Sequence, residues 1–127
     1  MTKERLQLGA AGEQAAALAL KKAGYKILAR NYKTKCGEID IIAHDKGTLC
    51  FIEVKTRDSD VFGLPVEAVH AEKQKQIAKV ALWYLKERRL LEKKARFDVV
   101  SVRWSNGLQP KVEIIKNAFE LQGQFTY

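Results

Sequence analysis

The sequence predicts an α/β fold with one mixed central sheet flanked by helices. Two segments, residues 6–23 and 71–89, carry apolar residues at the spacing of amphipathic helices. Segments rich in β-branched and aromatic residues lie between and after them, separated by turn signals. The chain has 127 residues, the length of one compact domain, and its 46% of hydrophobic residues can form a substantial core. We therefore predict a single domain over residues 1–127, of which residues 117–127 give no clear pattern.

The first elements run from an N-terminal helix to a β-hairpin. The helix over residues 6–23 ends at Gly24, a residue typical of helix C-termini. Three strands are predicted next, at residues 25–32, 38–44 and 48–55. Asp45-Lys46-Gly47 separates the last two and predicts a hairpin turn.

The second half of the chain repeats the change from helix to strand. A loop containing Gly63 and Pro65 leads to the helix over residues 71–89. Two strands, residues 96–104 and 111–116, follow and are joined by Ser105-Asn106-Gly107, a strong turn signal. The order helix, three strands, helix, two strands indicates one mixed sheet with helices packed on it.

The chain carries a strong positive charge, which favours a polyanionic partner. Its 23 Lys and Arg residues against 15 Asp and Glu residues give a net charge of +8. Nucleic acid is the first candidate partner, and a membrane surface is a weaker one, because both helical patterns are needed for the core. Since a basic surface also serves solubility, charge alone does not decide.

The composition also indicates the cellular compartment. No apolar run approaches the ~18 residues needed to cross a bilayer. The opening residues are charged and are not followed by the apolar segment of a signal peptide. Cys36 and Cys50 are too few for a disulfide framework and fit a reducing compartment. We expect a cytoplasmic protein that does not enter a membrane.

An antiparallel pairing of the second and third strands gathers charge on one face. Residues opposite each other point to the same face, and we prefer the register in which paired residue numbers add up to 93. One face is then wholly apolar, with the pairs Ile39–Val54, Ile41–Ile52 and Ala43–Cys50. The other face collects the charges, with the pairs Glu38–Lys55, Asp40–Glu53 and Ile42–Phe51. A register shifted by one residue would scatter charge onto the apolar face.

The facing carboxylates of this register predict a cation site. Asp40 and Glu53, with Cβ atoms about 5 Å apart, repel each other unless a cation lies between them. Mg²⁺ or Mn²⁺ suits these hard oxygen ligands, and waters and the Val54 carbonyl can complete the coordination shell. Lys55 points to the same face as Glu53, where it can hold or activate a water and counter charge on a phosphate. These groups are the components of metal-assisted phosphodiester hydrolysis.

An ordinary structural role is the competing interpretation of the same residues. Glu-x-Lys is a frequent tripeptide, and on an exposed strand it forms only a cross-strand ion pair. Here Glu53 and Lys55 interrupt the apolar strand over residues 49–55, at a central position where unpaired charge is costly. With Asp40 opposite, this context favours the catalytic interpretation.

Motifs along nearly the whole chain, up to about Glu120, resemble one known family. They are Gly9-Ala10-Ala11-Gly12-Glu13, Asn31-Tyr32-Lys33, Gly37-Glu38-Ile39-Asp40, Phe51-Ile52-Glu53-Val54-Lys55-Thr56-Arg57, Phe62-Gly63-Leu64-Pro65, Lys73 and Arg96-Phe97-Asp98-Val99-Val100. Together they are specific, although none is so alone. The chain resembles the YraN-like predicted bacterial endonucleases of the restriction-endonuclease-like PD-(D/E)xK nuclease superfamily, which is related to archaeal Holliday-junction resolvases.

The resemblance implies a fold and a set of site residues. It implies a restriction-endonuclease-like αβββαβ core, assigns Asp40, Glu53 and Lys55 to the nuclease site, and implies products with a 5′-phosphate and a 3′-hydroxyl. It also adds Glu13, which aligns with a first-helix glutamate beside the metal in related resolvases and can bind metal directly or through water. Without the resemblance, Glu13 would be an ordinary solvated helix residue. The chain has Ile39 where many relatives have a proline before the aspartate, at a position that commonly varies in this superfamily.

Other basic and aromatic residues have two open interpretations. Arg57 contacts a phosphate or forms a solvated strand end, and Lys73 is a weaker candidate for the same contact. A basic cluster either grips phosphates or is a solvated helix end, and comprises Lys86, Arg88, Arg89, Lys93, Lys94 and Arg96. Trp83 and Trp104 stack on unpaired bases or pack in the core. We interpret Asp98 as structural.

We therefore expect a Mg²⁺- or Mn²⁺-dependent endonuclease that hydrolyses DNA phosphodiester bonds and selects branched or repair intermediates rather than a base sequence. One alternative is a non-catalytic nucleic-acid-binding protein on the same fold, which has no need of facing carboxylates that repel phosphate. Another is a ribonuclease with the same site, so RNA stays open as a partner. Analogy with resolvases suggests a homodimer, because symmetric cutting of two strands needs two sites.

Overall fold

A computed structural model describes residues 3–58, 71–104 and 109–120, with the side chains of the first range described from residue 9 to residue 57. The elements are α1 (Lys3–Lys22), β1 (Lys26–Thr34), β2 (Gly37–Asp45), β3 (Thr48–Asp58), α2 (Ala71–Glu87), β4 (Ala95–Trp104) and β5 (Lys111–Phe119). The predicted order of helices and strands is confirmed. The predicted loop with Gly63 and Pro65 and the turn Ser105-Asn106-Gly107 lie outside the described residues.

The strands form one mixed sheet between two helices. The sheet has five strands in the order β1-β2-β3-β4-β5, and only β3 and β4 are parallel neighbours. Parallel neighbours need a long crossover connection, and α2 lies within that crossover. Two core clusters lie on opposite faces of the sheet: α1 contributes Ala16, Ala17 and Leu20 to one, and α2 contributes Ile77, Val80, Ala81 and Tyr84 to the other. The predicted α/β class is therefore confirmed.

Every element differs from the prediction by one or more residues at one or both ends, and three of these differences concern α2, β1 and β5. The second helix ends at Glu87 rather than residue 89, because Arg89 has a positive φ of 56°, which helical backbone does not allow. β1 extends two residues past its predicted end, to Thr34. β5 extends to Phe119, whose buried ring stacks on Phe97 with centroids 5.0 Å apart. Among the described residues, neither helix has the length and apolarity of a membrane span.

The β2–β3 hairpin has the predicted register where its strands are paired. Ile41 pairs with Ile52, Ala43 with Cys50 and Asp45 with Thr48. The connecting turn consists of Lys46 and Gly47 alone, with φ values of 48° and 88°. Positive φ at both central residues matches the right-handed twist of the flanking strands, so this turn fixes the register.

The predicted register is wrong about one apolar pair at the far end of the hairpin. Ile41 packs in the core cluster beneath α1, whereas Ile39 packs in the cluster beneath α2. Residues two apart on a regular strand share a face, so the alternation of β2 is broken at Asp40. Val54 lies on the α1 side, and Ile39 and Val54 therefore do not share a face as predicted.

The neighbouring strand is irregular at the same level. Asn31 lies between the pairs Arg30–Ile41 and Tyr32–Ile39, and is thus opposite Asp40. Its φ of 53° is in the left-handed region, which Asn tolerates better than most residues. The break in β2 at Asp40 is therefore matched by a break in β1 at Asn31, and the alternation of side chains between the two faces is interrupted in both strands.

A buried polar network ties the other end of the sheet together. Asp98 is 0% exposed and accepts hydrogen bonds from Tyr25 Oη (2.8 Å), Arg96 Nε (2.9 Å) and the Asn117 backbone N–H (2.9 Å). Arg96 also donates to Asp45 Oδ2 (2.6 Å). Arg96, one residue of the predicted phosphate-gripping cluster, is thus held in the fold, while Asp98 has the structural position assigned to it.

Replacing Asp98 with Ala will destabilise the protein strongly. The substitution leaves the Tyr25 hydroxyl and the Asn117 N–H without their buried acceptor and Arg96 with Asp45 alone, which costs about 3–5 kcal/mol. Urea denaturation followed by circular dichroism measures the loss. Glu92→Ala, which removes an exposed carboxylate, is the control and will change stability by less than about 0.5 kcal/mol. Equal unfolding midpoints for the two variants would contradict this role of Asp98.

Candidate active site

The candidate site lies where β2 and β3 stop pairing through their backbones. The antiparallel pairing runs from Asp45–Thr48 to Ile41–Ile52. At the next position the Asp40 carboxylate oxygen Oδ2 accepts a hydrogen bond of 2.8 Å from the Val54 backbone N–H. A side chain thus replaces the backbone partner that a continued ladder would provide. This bond directs the Asp40 carboxylate into the gap between the strands.

Glu53 brings a second carboxylate to this gap from β3. It lies two residues past Phe51 of the α2-side core cluster, opposite Val99 of β4, and is 8% exposed. Its Oε1 atom lies 3.9 Å from Lys73 Nζ of α2. Burial, and then repulsion by Asp40, raise the pKa of Glu53 to about 7, against the opposing effect of Lys73 and Lys55.

The pKa of Asp40 is raised as well. Burial raises the pKa of Asp40, and the charge of Glu38 raises it further, while the hydrogen bond from Val54 and the charge of Lys73 lower it. Asp40 and Glu53 are also within hydrogen-bonding reach of each other. Two carboxylates this close do not both ionise without a compensating positive charge.

Glu13 reaches the same place from α1. The helix lies directly on β3 at Gly12, where a Cβ atom would overlap the Thr56 hydroxyl, so only glycine allows this approach. The next residue, Glu13, is thereby brought beside Asp40. Burial raises the pKa of Glu13, as do the charges of Asp40 and Glu38. Glu13 is therefore part of the acidic group at the gap rather than a solvated helix residue.

Asn31 is a neighbour of this group that the sequence did not single out as a site residue. With its amide nitrogen directed at the carboxylates, Asn31 donates to Glu13 Oε1 (3.2 Å) and to Glu38 Oε1 (3.0 Å). The positive φ of Asn31 gives its side chain this direction. An asparagine amid alternating strand residues is the signal that could have indicated it.

The basic residues predicted for the site lie at different depths. Lys55 is half-buried on β3 two residues past Glu53, and Lys73 forms the ion pair with Glu53 from α2. Arg57 lies two residues further along β3, opposite Arg103 of β4.

Glu38 does not lie opposite Lys55 as predicted. It is beyond the paired part of the hairpin and pairs with Lys33 of β1. The structure thus brings Glu13, Asp40, Glu53, Lys55 and Lys73 to one place.

The chemistry of this group fits a hard divalent cation. Asp40 and Glu53 offer carboxylate oxygens whose burial and mutual repulsion a cation would relieve. A strand residue sends its N–H and C=O to the same side, so the Val54 carbonyl faces the same gap as its N–H. Over the described residues, no three His, Cys, Asp or Glu side chains form a ready-made metal cluster. Mg²⁺ needs no such cluster, since it is commonly held by one or two carboxylates with waters and substrate oxygens.

Replacing Glu53 with Gln will stabilise the metal-free protein near neutral pH. The pKa of Glu53 rises from 4.5 to about 7 on folding, so this residue favours the folded state only while protonated. Its contribution is present below pH 4.5 and is lost as the pH rises through 7. The Gln variant should therefore be more stable than the wild type above pH 7, by up to about 3 kcal/mol, with the difference vanishing near pH 4.5. Urea denaturation in EDTA across this range measures it, and a gap that is constant with pH would contradict the prediction.

Comparison with known proteins gives the family of the chain. The family model described as "Uncharacterised protein family UPF0102" matches residues 12–102, the range that contains Glu13, Asp40, Glu53 and Lys55. A UPF0102 protein of Desulfosudis oleivorans is 50% identical over 120 residues, which cover 94% of this chain and 95% of the relative.

Two further relatives show the same extent of similarity. A UPF0102 protein of Syntrophus aciditrophicus is 50% identical over 93% of this chain and 92% of its own. A UPF0102 protein of Syntrophotalea carbinolica is 50% identical over 97% of this chain and 99% of its own. Both the family model and these full-length similarities agree, and the chain therefore belongs to the UPF0102 family.

Proposed function

We propose that this protein is a metal-dependent endonuclease that hydrolyses phosphodiester bonds in DNA. The observation that carries the proposal is the pair of buried carboxylates, Asp40 and Glu53, which meet at the gap between β2 and β3 with Lys55 beside them. A fold gains no stability from two ionised carboxylates in contact. Such a pair is explained by a function that needs it.

Asp40 and Glu53 would hold the cation, with the Val54 carbonyl as a third oxygen. The hydrogen bond from Val54 N–H occupies Asp40 Oδ2 and orients the carboxylate, which leaves Oδ1 for the metal. Glu13 lies beside Asp40, where it would contact the cation directly or through water. When bound, Mg²⁺ or Mn²⁺ supplies charge neutralisation at the phosphate and lowers the pKa of water.

We assign different roles to Lys55 and Lys73. Lys55 is half-buried on the same face of β3 as Glu53, so its ammonium group can orient the attacking water and offset the charge that develops on the phosphate. Lys73 is already paired with Glu53 at 3.9 Å. Once the cation compensates Glu53, the Lys73 ammonium group could contact a substrate phosphate instead. Arg57, further along β3, extends this line of positive charge as a phosphate contact.

The net charge of +8 and the resemblance to PD-(D/E)xK nucleases support DNA as the substrate. A cytoplasmic location is proposed because the two cysteines, Cys36 and Cys50, fit a reducing compartment. The related Holliday-junction resolvases suggest branched or repair intermediates as the preferred form, and a homodimer. We include these in the proposal as its finer part, on fold-level analogy. A ribonuclease with the same site and a binding protein without turnover are the outcomes that would replace it.

Divalent cations will stabilise the wild-type protein and leave the site variants unchanged. A ligand that binds only the folded state stabilises it by about 3 kcal/mol at one hundred times its dissociation constant. Mn²⁺ and Mg²⁺ should thus raise the thermal midpoint of the wild type, but not that of Asp40→Asn or Glu53→Gln. Glu92→Gln, an exposed acidic control, should respond like the wild type. An equal shift in all four proteins would place the cation elsewhere.

Cleavage assays test the nuclease itself. We expect purified protein with Mn²⁺ or Mg²⁺ to cut labelled DNA from a set of duplexes, flaps, four-way junctions and single strands, and to be inactive in EDTA. Glu53→Ala, Asp40→Ala and Lys55→Ala should each lower the rate about 100-fold or more, since each removes a charge from the reacting centre. Binding in EDTA should change only a few-fold.

The outcomes separate the alternatives. Metal-dependent cutting confined to an RNA substrate would make the protein a ribonuclease. Tight binding with no cutting under either metal would make it a binding protein. Equal loss of binding and cutting in the three variants would contradict their assignment to the chemical step, and Glu92→Ala provides the control for unspecific effects of losing a carboxylate.

A further inference from the structure

A basic surface groove begins beside the candidate site and runs away from it along α2. Its first part, about 670 Å³ in volume, is lined by Lys73, Lys75, Gln76 and Lys79 of α2 together with Cys36 of the turn between β1 and β2. Its second part, about 650 Å³, is lined by residues 32–36 and by Trp83 and Glu87. Cys36 borders both parts, so they lie next to each other along α2. The groove starts at Lys73, which is 3.9 Å from Glu53.

The walls of the groove are held close to each other. A Cβ atom at Gly37 would lie 2.8 Å from the Gln76 side chain, and Gly37 has a φ of 143°. Glycine at the start of β2 therefore lets the β1–β2 turn approach α2 closely. The groove is thus fixed by the packing of a strand end on a helix.

The charge of the groove suits a polyanion. Five lysines line it, from the end of β1, the β1–β2 turn and α2: Lys33, Lys35, Lys73, Lys75 and Lys79. Glu72 and Glu87 are the only acidic residues among the described lining residues. Spacing along a helix places Lys73 and Trp83 about 15 Å apart, which accommodates about four stacked nucleotides of one strand.

An exposed aromatic side chain marks the far end of the groove. Trp83 is 56% exposed, which is unusual for a large apolar side chain. Its Nε1 atom donates a hydrogen bond of 3.1 Å to Glu87 Oε2, and this bond fixes the indole plane. Trp104, by contrast, packs against the core beneath α1. Lysines that follow a backbone, together with an aromatic platform, are the two elements that bind single-stranded nucleic acid.

We propose that this groove binds a single-stranded segment of nucleic acid, with Trp83 stacking on a base and the five lysines contacting phosphates. The proposal rests on the proposed function, and deepens it by assigning substrates that carry an unpaired strand next to the scissile bond. Lys73 connects the two sites, since it lies at the start of the groove and beside Glu53. A strand lying along α2 would thus lead directly to the carboxylates.

Binding of short single strands in EDTA tests the groove without any cleavage. Fluorescent twelve-nucleotide dT and rU oligonucleotides are the probes, and a blunt DNA duplex is the reference. Trp83→Ala should weaken binding of the single strands about tenfold, the effect of losing one stacked base, and leave duplex binding unchanged. The control is Leu18→Ala, which truncates a 50% exposed apolar side chain on α1, across the sheet.

The salt dependence of binding tests the lysines. The double variant Lys75→Gln/Lys79→Gln should lower the slope of log affinity against log salt concentration for single strands by about 1.4, the value for two phosphate contacts. Lys21→Gln/Lys22→Gln makes the same change in charge at the exposed end of α1 and should leave the slope unchanged. Equal effects of the two double variants would overturn the groove as the binding path.

A chemical footprint locates the bound strand. Cys36 is exposed in the groove and Cys50 is buried, so an uncharged maleimide reports on Cys36. Saturating dT oligonucleotide should slow this labelling at least threefold in the wild type, and Cys36→Ser shows the background. Unchanged labelling, or single-strand affinity that Trp83→Ala does not weaken, would overturn the proposal. These results are independent of the nuclease assignment. Metal-dependent cleavage together with single-strand binding that Trp83→Ala does not weaken would leave the nuclease standing and refute the groove. Single-strand binding that Trp83→Ala weakens, in a protein that never cuts, would do the reverse.

Discussion

Burial of the Asp40 and Glu53 carboxylates at the gap between β2 and β3 is the constraint on which the rest of the site depends. A regular hairpin would continue its backbone pairing past Ile41 and Ile52, and would direct Asp40 onto one face of the sheet. Instead the Asp40 side chain accepts the hydrogen bond of the Val54 N–H at 2.8 Å, and the alternation of β2 changes at that residue. The carboxylate is therefore held by the sheet itself, in the manner of a rigid scaffold that orients a ligand group.

The two helices complete this arrangement from opposite faces of the sheet. α1 approaches β3 closely at Gly12 and brings Glu13 beside Asp40. α2 crosses the other face and brings Lys73 to within 3.9 Å of Glu53. The acidic group is therefore bordered by an additional acid on one side and a base on the other. The groove lined by lysines begins at Lys73 and continues the positive charge along α2.

The buried acidic residues of this molecule fall into two groups with different surroundings. The carboxylates at the gap have raised pKa values and weaken the fold when ionised, whereas Asp98 and Asp45 are satisfied by Arg96, Tyr25 and Lys116. Arg96 is paired with both Asp98 and Asp45, and its hydrogen bond lowers the pKa of Asp45. Buried acids are thus fully compensated by basic and hydroxyl groups in the structural network, whereas Asp40 and Glu53 keep raised pKa values at the candidate site. This contrast is what distinguishes the two groups.

The sequence by itself determined the order of elements, the hairpin register over residues 41–52 and the meeting of Asp40 with Glu53, because alternating apolar residues and a two-residue turn leave few other pairings. The places of Asn31, Arg96 and Trp83, and the end of regular pairing at Asp40, were decided by the tertiary structure alone. Asn31 and Arg96 depend on contacts with residues far apart in the chain, Glu13 and Asp45, and Trp83 borders the groove only because the β1–β2 turn lies against α2. Local periodicity describes which face a residue occupies on an ideal strand or helix, and it carries no information about where a strand breaks its own pattern to satisfy a distant partner.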